Sequence, residues 1–304
     1  MIRGFGRHGR AKEWSLDMTS ARLPPLKREP SNVVRPTRLG CGDIWAGSSR
    51  TAGLLELPGL DVWVHSAPAG TSEAGGDVHY VSVCPTCIVS RVALADVSGH
   101  GTAVAALGVT LRRLMHQHLH APDQRALMRE LNRAVHTELD QVHYATMVSV
   151  GWHDRRAVLL LSNAGHPPPL WYRAARNEWS WLNATGAPER DRPVGVPLGL
   201  LSEVDYGRVV VKPELGDLVV LYSDGASEAT NEAAEELGRD GLLDMARGLD
   251  RRSVESFGQE LTSALCHFRG GVGASDDESI IVLQRRAPDG EYGARIERGF
   301  QSPL

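Results

Sequence analysis

The sequence predicts an α+β fold in which antiparallel sheets are covered by helices. Predicted strands come in groups that are interrupted by two adjacent helices, and a second pair of helices precedes the last strand. This order lacks the regular alternation of strand and helix that builds a parallel sheet. The chain also has no glycine-rich dinucleotide fingerprint and no Walker phosphate loop.

Composition excludes several classes of protein. The chain has 304 residues, of which 42% are hydrophobic and 23% are charged, so it can bury a core and is neither fibrous nor wholly disordered. Its net charge of −4 argues against a nucleic-acid binder, and no apolar run reaches the roughly 18 residues that a membrane span needs. Four cysteines and a start without an apolar leader favour a reduced, cytoplasmic protein that contacts neither nucleic acid nor membrane.

Composition also divides the chain into three parts. Residues 1–50 are rich in Gly, Arg, Pro and Ser and hold no sustained apolar period, so we expect a flexible basic arm. Residues 51–286 contain all the predicted elements and form one domain, and residues 287–304 form a polar C-terminal tail. Removal of residues 1–50 is therefore expected to leave the domain folded.

Most of the predicted strands show the alternation of apolar and polar residues that is typical of half-buried sheets. They cover residues 60–65, 78–84, 88–95, 144–152, 157–162, 206–211, 218–222 and 279–283. A turn at residues 85–86 joins the second and third strands. The turn at residues 213–217 predicts a hairpin of the sixth and seventh strands.

Helices are predicted where apolar side chains recur every three or four residues. The first, residues 104–118, carries on one face Val104, Leu107, Leu111, Leu114 and His118. The second covers residues 127–139, with Asp123 as its N-cap. The last two cover residues 241–249 and 254–266.

Aspartates stand where predicted buried strands meet loops. Asp77 opens one strand, Asp96 and Asp224 each follow an apolar run, and Asp276 with Asp277 precedes the last strand. An ionised carboxylate at such a position is costly unless a cation faces it, and no run of Lys or Arg stands nearby in sequence. Mg²⁺ and Mn²⁺ favour carboxylate, carbonyl and water oxygens, so the pattern indicates a divalent-metal site. Aspartate is also common in turns, which leaves a purely structural role open for any one of them.

Eight short motifs carry a family resemblance. They are Gly75-Gly-Asp77, Ala95-Asp-Val-Ser-Gly-His-Gly101, Tyr144-Ala-Thr-Met147, Asn163-Ala-Gly-His-Pro-Pro-Pro169, Val196-Pro-Leu-Gly199, Gly216-Asp217, Tyr222-Ser-Asp-Gly225 and Ser275-Asp-Asp277. In this order they resemble the metal-dependent protein phosphatases of type 2C, in the bacterial SpoIIE-like branch, over about residues 55–286. The resemblance implies a four-layer αββα sandwich of two antiparallel sheets flanked by helix pairs.

The resemblance also implies a role for each acid. Asp96 would bridge two Mg²⁺ or Mn²⁺ ions, the carbonyl of Val97 would complete one of them, and Asp224 and Asp276 would hold the second. Asp77 resembles an upstream acid of the family that contacts metal-bound water or a third, more weakly held ion. A water between two cations has a lowered pKa and can attack phosphorus, so no cysteine or serine nucleophile is implied.

The general acid is not assigned. Eukaryotic members of the type 2C family carry a histidine two places after the bridging aspartate, and Ser98 stands there in this chain. The bacterial branch generally lacks that histidine as well. His100 and His166 are the remaining candidates, and for His166 a structural role in its loop is favoured.

The resemblance predicts a protein-serine/threonine phosphatase that acts in a partner-switching signalling pathway. Its substrate would be a small phosphoprotein of the anti-sigma-factor-antagonist kind. Two alternatives stay open: a pseudophosphatase that binds a phosphoprotein without cleaving it, and a metal-dependent phosphatase of a small metabolite. The complete set of acids argues against the pseudophosphatase, and the depth of the cleft would decide between protein and metabolite substrates.

Two other features have weaker functional interpretations. Cys84 and Cys87 form a Cys-x-x-Cys pair at a predicted hairpin turn, whereas Cys41 and Cys266 stand alone in sequence. A structural zinc site needs four ligands, so ordinary hairpin cysteines are favoured over a zinc half-site or a redox pair. Residues 230–238 are acidic and follow the Asp224 loop, and we interpret them as a flap that contacts substrate.

Overall fold

The computed structural model of this protein describes residues 36–98, 102–118, 121, 123–138, 143–182 and 195–287. Its strands are β1 (Thr37–Arg38), β2 (Ile44–Ser49), β3 (Thr51–Leu57), β4 (Leu60–Ala67), β5 (Ala74–Val83), β6 (Val89–Val97), β7 (Ala145–His153), β8 (Val158–Ala164), β9 (Leu170–Arg173), β10 (Glu178–Trp181), β11 (Val209–Val211), β12 (Leu218–Tyr222) and β13 (Glu278–Arg285). Its helices are α1 (Thr102–His118), α2 (Gln124–Glu138), α3 (Asp224–Ser227), α4 (Gly238–Arg247) and α5 (Val254–Arg269).

The strands form two sheets. One has seven strands in the order β1-β3-β4-β13-β12-β9-β10, and the other has six in the order β11-β8-β7-β6-β5-β2. All neighbours are antiparallel except β1 and β3. Sequence-distant strands therefore lie side by side, and β13 at the end of the domain pairs with β4 near its start.

Three clusters of buried side chains show that sheets and helices form four layers. The cluster between the two sheets includes Val81, Leu94, Val148, Leu221 and Ile281. The cluster that joins α1 and α2 to the six-stranded sheet includes Tyr80, Ala93, Leu111, Leu114, Leu127 and Leu131. The cluster that joins α4 and α5 to the seven-stranded sheet includes Trp63, Val220, Leu242, Phe257 and Leu261. The predicted α+β class and the αββα sandwich are confirmed.

The expected boundary of the N-terminal arm at residue 50 is wrong. β1 and β2 lie inside the range 1–50, and β2 pairs with β5 through Ile44 and Ser82. Leu39 is buried in the cluster between the sheets. The Gly- and Ser-rich composition of this stretch hid strands whose stability comes from pairing with distant residues. Residues 1–35 and 288–304, the rest of the expected arm and tail, lie outside the described residues.

The predicted hairpin of residues 206–211 and 218–222 is also wrong. β11 pairs with β8 in the six-stranded sheet, whereas β12 pairs with β13 and β9 in the seven-stranded sheet. All five residues of β12 are buried. The strand is therefore paired along both of its edges, and both faces of its sheet are covered there. The turn before it, held by Asp217, carries the chain from one sheet to the other.

The cysteines are arranged differently from the expectation. Cys41 does not stand alone, because it is disulfide-bonded to Cys87, and the two Cα atoms are 4.9 Å apart. Cys84 is the free member of the Cys-x-x-Cys pair, and its Sγ accepts a hydrogen bond from the N–H of Val89 at 3.2 Å. The hairpin turn itself is confirmed, since β5 and β6 flank it as an antiparallel pair.

Helix positions follow the sequence closely. Asp123 caps α2 as predicted, because its Oδ1 accepts a hydrogen bond from the N–H of Arg125 at 3.1 Å. None of the helices in the described ranges has the length and apolarity needed to cross a membrane.

Candidate metal centre

Two of the predicted metal ligands lie on neighbouring strands of the six-stranded sheet. Val78 of β5 pairs with Ala95 of β6. Asp77 and Asp96 are the next residues on these strands, toward the same end of the strand pair. Asp77 is 2% exposed. Its Oδ2 atom is buried and has no hydrogen-bond partner within the described part of the chain. A buried carboxylate oxygen without a donor is costly, which indicates a place for a cation.

The other two predicted ligands lie on the seven-stranded sheet. β12 and β13 pair through Tyr222 and Ile280, and Asp224 and Asp276 leave the same end of that pair. Asp224 begins α3, and burial together with the charge of Asp276 raises its pKa. Asp276 is exposed, and its Oδ1 accepts a hydrogen bond from the N–H of Asp277 at 2.8 Å.

The acids of the two sheets act on each other. The pKa of Asp96 is raised to about 10, first because burial disfavours its charge and then because Asp77, Asp224 and further acids repel it. Burial also raises the pKa of Asp77, and the hydroxyls of Ser279 and Ser223 from the opposite sheet oppose that rise. A bound cation would offset both the burial and the repulsion, so this edge favours a cation strongly.

Glycines allow close packing beside these acids. A Cβ atom on Gly76 would lie 2.8 Å from Cγ1 of Val104, 3.2 Å from the carbonyl oxygen of Val97 and 3.3 Å from Oδ1 of Asp96. The last two are atoms predicted to hold the same ion. A Cβ atom on Gly108 of α1 would lie 2.9 Å from the carbonyl oxygen of Gly75, so the helix packs directly against the start of β5.

The carboxylates do not form a closed cage. Within the described ranges, no three Asp, Glu, His or Cys side chains are grouped so that they could hold an ion by themselves. Mg²⁺ commonly binds through one or two carboxylates and keeps several waters. Separate carboxylates and the Val97 carbonyl fit such an ion.

The candidates for the general acid occupy different places. The hydroxyl of Ser98 accepts a hydrogen bond from the N–H of Tyr144 at 3.1 Å and so ties the end of β6 to the start of β7. His100 lies outside the described residues. His166 is buried, its Nδ1 bonds the hydroxyl of Thr146 at 2.8 Å, and burial lowers its pKa to about 3. A buried neutral imidazole is a poor proton donor at neutral pH, so the general acid stays unassigned.

The acidic stretch 230–238 forms an ordered loop beside this edge. A bridge between Thr230 and Glu236 closes it, and the side chain of Asn231 accepts a hydrogen bond from the N–H of Glu235 at 3.0 Å. Just before the loop, the pKa of Glu228 is raised by partial burial and then by the charge of Asp224. No local sequence signal singles out Glu228, whose proximity to the acids depends on the turn made by α3. Contact of the loop with substrate stays a prediction.

Two groups beside the centre were not assigned a role from the sequence. Oδ1 of Asp277 accepts a hydrogen bond from the N–H of Ala69 in the loop after β4, and Oδ2 accepts one from the N–H of Gly76 in β5 of the opposite sheet. Arg269 at the end of α5 forms an ion pair with Glu278 and donates to the carbonyl oxygen of Gly225 at 3.3 Å. In the sequence, Asp277 is marked only by its place next to Asp276. Arg269 is marked only by its place near the end of a predicted helix.

The comparison with protein families decides the family. The family model of Stage II sporulation protein E (SpoIIE) matches residues 90–286, which is more than half of the chain. This chain belongs to the SpoIIE family. The matched range includes Asp96, Asp224 and Asp276, whereas Asp77 lies before it.

One relative is similar to this chain in sequence, and two solved structures are similar to it in fold. Phosphoserine phosphatase RsbU of Bacillus subtilis (strain 168) is 28% identical over 231 residues, which cover 75% of this chain and 64% of RsbU. This chain thus spans slightly less than two thirds of the length of RsbU. The RsbU and RsbW domains of Rv1364c from Mycobacterium tuberculosis match with a TM-score of 0.64 and 22% identity, over 79% of this chain and 64% of that chain. The catalytic domain of the serine/threonine protein phosphatase PstP in complex with two manganese ions matches with a TM-score of 0.52 and 16% identity, over 74% of this chain and 97% of that chain.

Proposed function

We propose that this SpoIIE-family protein is a Mn²⁺- or Mg²⁺-dependent phosphatase that hydrolyses phosphoserine or phosphothreonine on a regulatory protein. The observation that carries the proposal is the electrostatic repulsion that Asp96 experiences from Asp77, Asp224 and Asp276, which come from both sheets. The unpaired buried oxygen of Asp77 supports a cation at that edge. The relationship to a named phosphoserine phosphatase supports the reaction class.

The residues of the centre have distinct parts in this proposal. Asp96 would contribute to holding both ions, the carbonyl of Val97 would complete one of them, and Asp224 and Asp276 would hold the second. Asp77 would contact water or a weaker third ion. Such ions, when bound, lower the pKa of a water molecule and offset negative charge on a phosphoryl group. The chain itself supplies the carboxylates and, at Gly76, the close approach of β5 to Asp96 and Val97.

A phosphoprotein is the substrate that fits best. Asp276 is exposed, so a phosphorylated side chain on the surface of another protein can approach the acids without entering a deep pocket. We propose a small phosphoprotein of the anti-sigma-factor-antagonist kind, in a cytoplasmic partner-switching pathway. The name of the relative RsbU, a phosphoserine phosphatase, supports the phosphoserine part of this assignment.

The test is hydrolysis of p-nitrophenyl phosphate and of a phosphoserine peptide by the purified full chain, with Mn²⁺ and with EDTA. We expect Mn²⁺-dependent turnover that Asp224→Asn lowers by more than about 100-fold, because a charged ligand is lost. Asp244→Asn is the matched control, since it removes an equal charge from an exposed site on α4. Binding of a phosphopeptide without turnover would favour a pseudophosphatase, and turnover of small phosphate esters alone would favour a metabolite phosphatase.

A further inference from the structure

Asp277 joins the two sheets at the edge that carries the acids. Its Oδ1 accepts a hydrogen bond from the N–H of Ala69 at 2.7 Å, and its Oδ2 accepts one from the N–H of Gly76 at 2.6 Å. A longer contact of 3.3 Å runs from the N–H of Asp77 to the same Oδ2. Asp277 directly precedes β13 of the seven-stranded sheet, whereas Gly76 and Asp77 belong to β5 of the six-stranded sheet. Hydrogen bonds of a carboxylate to backbone N–H groups are among the stronger ones in proteins.

Two glycines leave just enough room for Asp277. A Cβ atom on Gly75 would lie 2.1 Å from Oδ2 of Asp277, and a Cβ atom on Gly225 would lie 2.1 Å from its carbonyl oxygen. That carbonyl oxygen also accepts a hydrogen bond from the hydroxyl of Ser223 at 3.2 Å. Asp277 is thus packed between the strand that carries Asp77 and the turn that carries Asp224.

The position of Asp277 matters because the acids come from both sheets. Asp77 and Asp96 belong to strands of the six-stranded sheet, and Asp224 and Asp276 flank strands of the seven-stranded sheet. The Asp277 side chain spans the gap between these two pairs. Each of its two oxygens accepts a hydrogen bond from a backbone N–H group.

We propose that Asp277 is a positioning residue that sets the spacing between the two pairs of acids, and thereby the affinity of the centre for Mn²⁺, without ligating the metal. Because this role rests on the proposed function, its test needs a measurement that does not depend on turnover. The backbone N–H groups of Ala69 and Gly76 supply one, since their hydrogen exchange in the metal-free protein reports the clamp directly.

The chain offers a matched control in Asp217. Its Oδ1 accepts a hydrogen bond from the N–H of Ala174 at 2.8 Å, and its Oδ2 accepts one from the N–H of Glu214 at 3.0 Å. It is buried and precedes β12 at the end opposite Asp224. Asp217→Ala therefore removes a similar set of hydrogen bonds far from the acids.

The experiment compares the wild type, Asp277→Ala, Asp277→Asn and Asp217→Ala as full chains. It measures amide exchange in EDTA, Mn²⁺ dissociation constants by calorimetry, and thermal unfolding. We expect Asp277→Ala to speed exchange at residues 69–77 and to raise the Mn²⁺ dissociation constant by about tenfold or more. Asp277→Asn keeps one acceptor oxygen and should show a smaller change of the same sign in exchange and in the Mn²⁺ dissociation constant. If the alanine variant does not fold, the asparagine variant tests the inference in its place. Asp217→Ala should lose thermal stability but keep the wild-type dissociation constant.

Turnover gives a second separation. At saturating Mn²⁺ the Asp277→Ala variant should recover most of its kcat, which Asp224→Asn cannot do. A folded Asp277 variant with the wild-type Mn²⁺ dissociation constant would overturn the inference, as would an equal rise in that constant for Asp217→Ala. A wild type that binds Mn²⁺ without hydrolysing any phosphate ester would overturn the proposed function alone. A wild type that binds no Mn²⁺ would overturn both, whatever the amide exchange shows.

Discussion

At the scale of single residues, the carboxyl group of Asp96 is affected first by burial and then by the negative charges of Asp77, Asp224, Asp276 and Asp277. With its pKa at about 10, its carboxyl group holds a proton at neutral pH as long as no cation is bound. A metal ion that binds must displace this proton, so metal affinity rises with pH.

His166 provides a prediction about pH at the residue scale. Its folded-state pKa of about 3 lies below the usual value of 6.5, so between these values the unfolded chain binds a proton that the folded chain does not. Protonation of His166 therefore does not affect the free energy of unfolding above pH 6.5, and it lowers that free energy increasingly as the pH falls toward 3. From pH 7.5 to 5.5 the wild type should lose about 1 kcal/mol of unfolding free energy more than His166→Gln. Urea denaturation at both pH values measures it, and equal losses in the two proteins would contradict it.

Among the elements, β1 and β2 show how far the domain reaches toward the N-terminus. β2 pairs with β5, the strand that carries Asp77, and the loop before it holds Cys41 in its disulfide with Cys87. Leu39 adds its side chain to the cluster between the sheets. The segment 36–50 is thus part of the support for the candidate metal centre.

Truncation tests this support. Removal of residues 1–50 should lower the unfolding free energy by about 3 kcal/mol or more, because a disulfide, a paired strand and the buried Leu39 are lost together. Removal of residues 1–35 is the control, since it leaves every described element in place. Circular dichroism on heating compares the two truncated chains. Unfolding of both at the same temperature would show that β1 and β2 contribute nothing.

At the scale of the whole molecule, the candidate centre lies where the two sheets meet and belongs to neither sheet alone. The cluster between the sheets brings them face to face, and the repulsion among the acids at their edge opposes that approach. A divalent cation bound to acids of both sheets would reverse the sign of this contribution. Metal binding and the stability of the whole sandwich are therefore coupled.

This coupling predicts opposite effects of one substitution with and without metal. In EDTA, Asp96→Asn should unfold about 5 °C or more above the wild type, because the amide is neutral without the free-energy cost of taking up a proton. Millimolar Mn²⁺ should raise the unfolding temperature of the wild type and leave that of Asp96→Asn nearly unchanged. Asp244→Asn should behave as the wild type in both conditions. An equal response of Asp96→Asn to Mn²⁺ would argue against Asp96 as a ligand.

Much of the fold was predictable because its signals are local. The two-residue period of β4 and the three-to-four-residue period of α1 and α5 can be read in short windows. β9 and β10 were missed because each has only four residues, too few for a clear period. Asp96 and Asp224 could be singled out because each follows an apolar run that ends a strand.

The sequence by itself therefore determined the fold class, most of the elements, and the aspartates at the strand ends, since these depend on neighbouring residues. Only the tertiary structure decided that β11 and β12 lie in different sheets, that Cys41 bonds Cys87, and that Asp277 reaches the N–H of Gly76. Asp277 and Gly76 are 201 residues apart in the chain. No local pattern encodes such pairs, because they form only when the buried faces of both sheets pack together and bring distant strand ends to one edge.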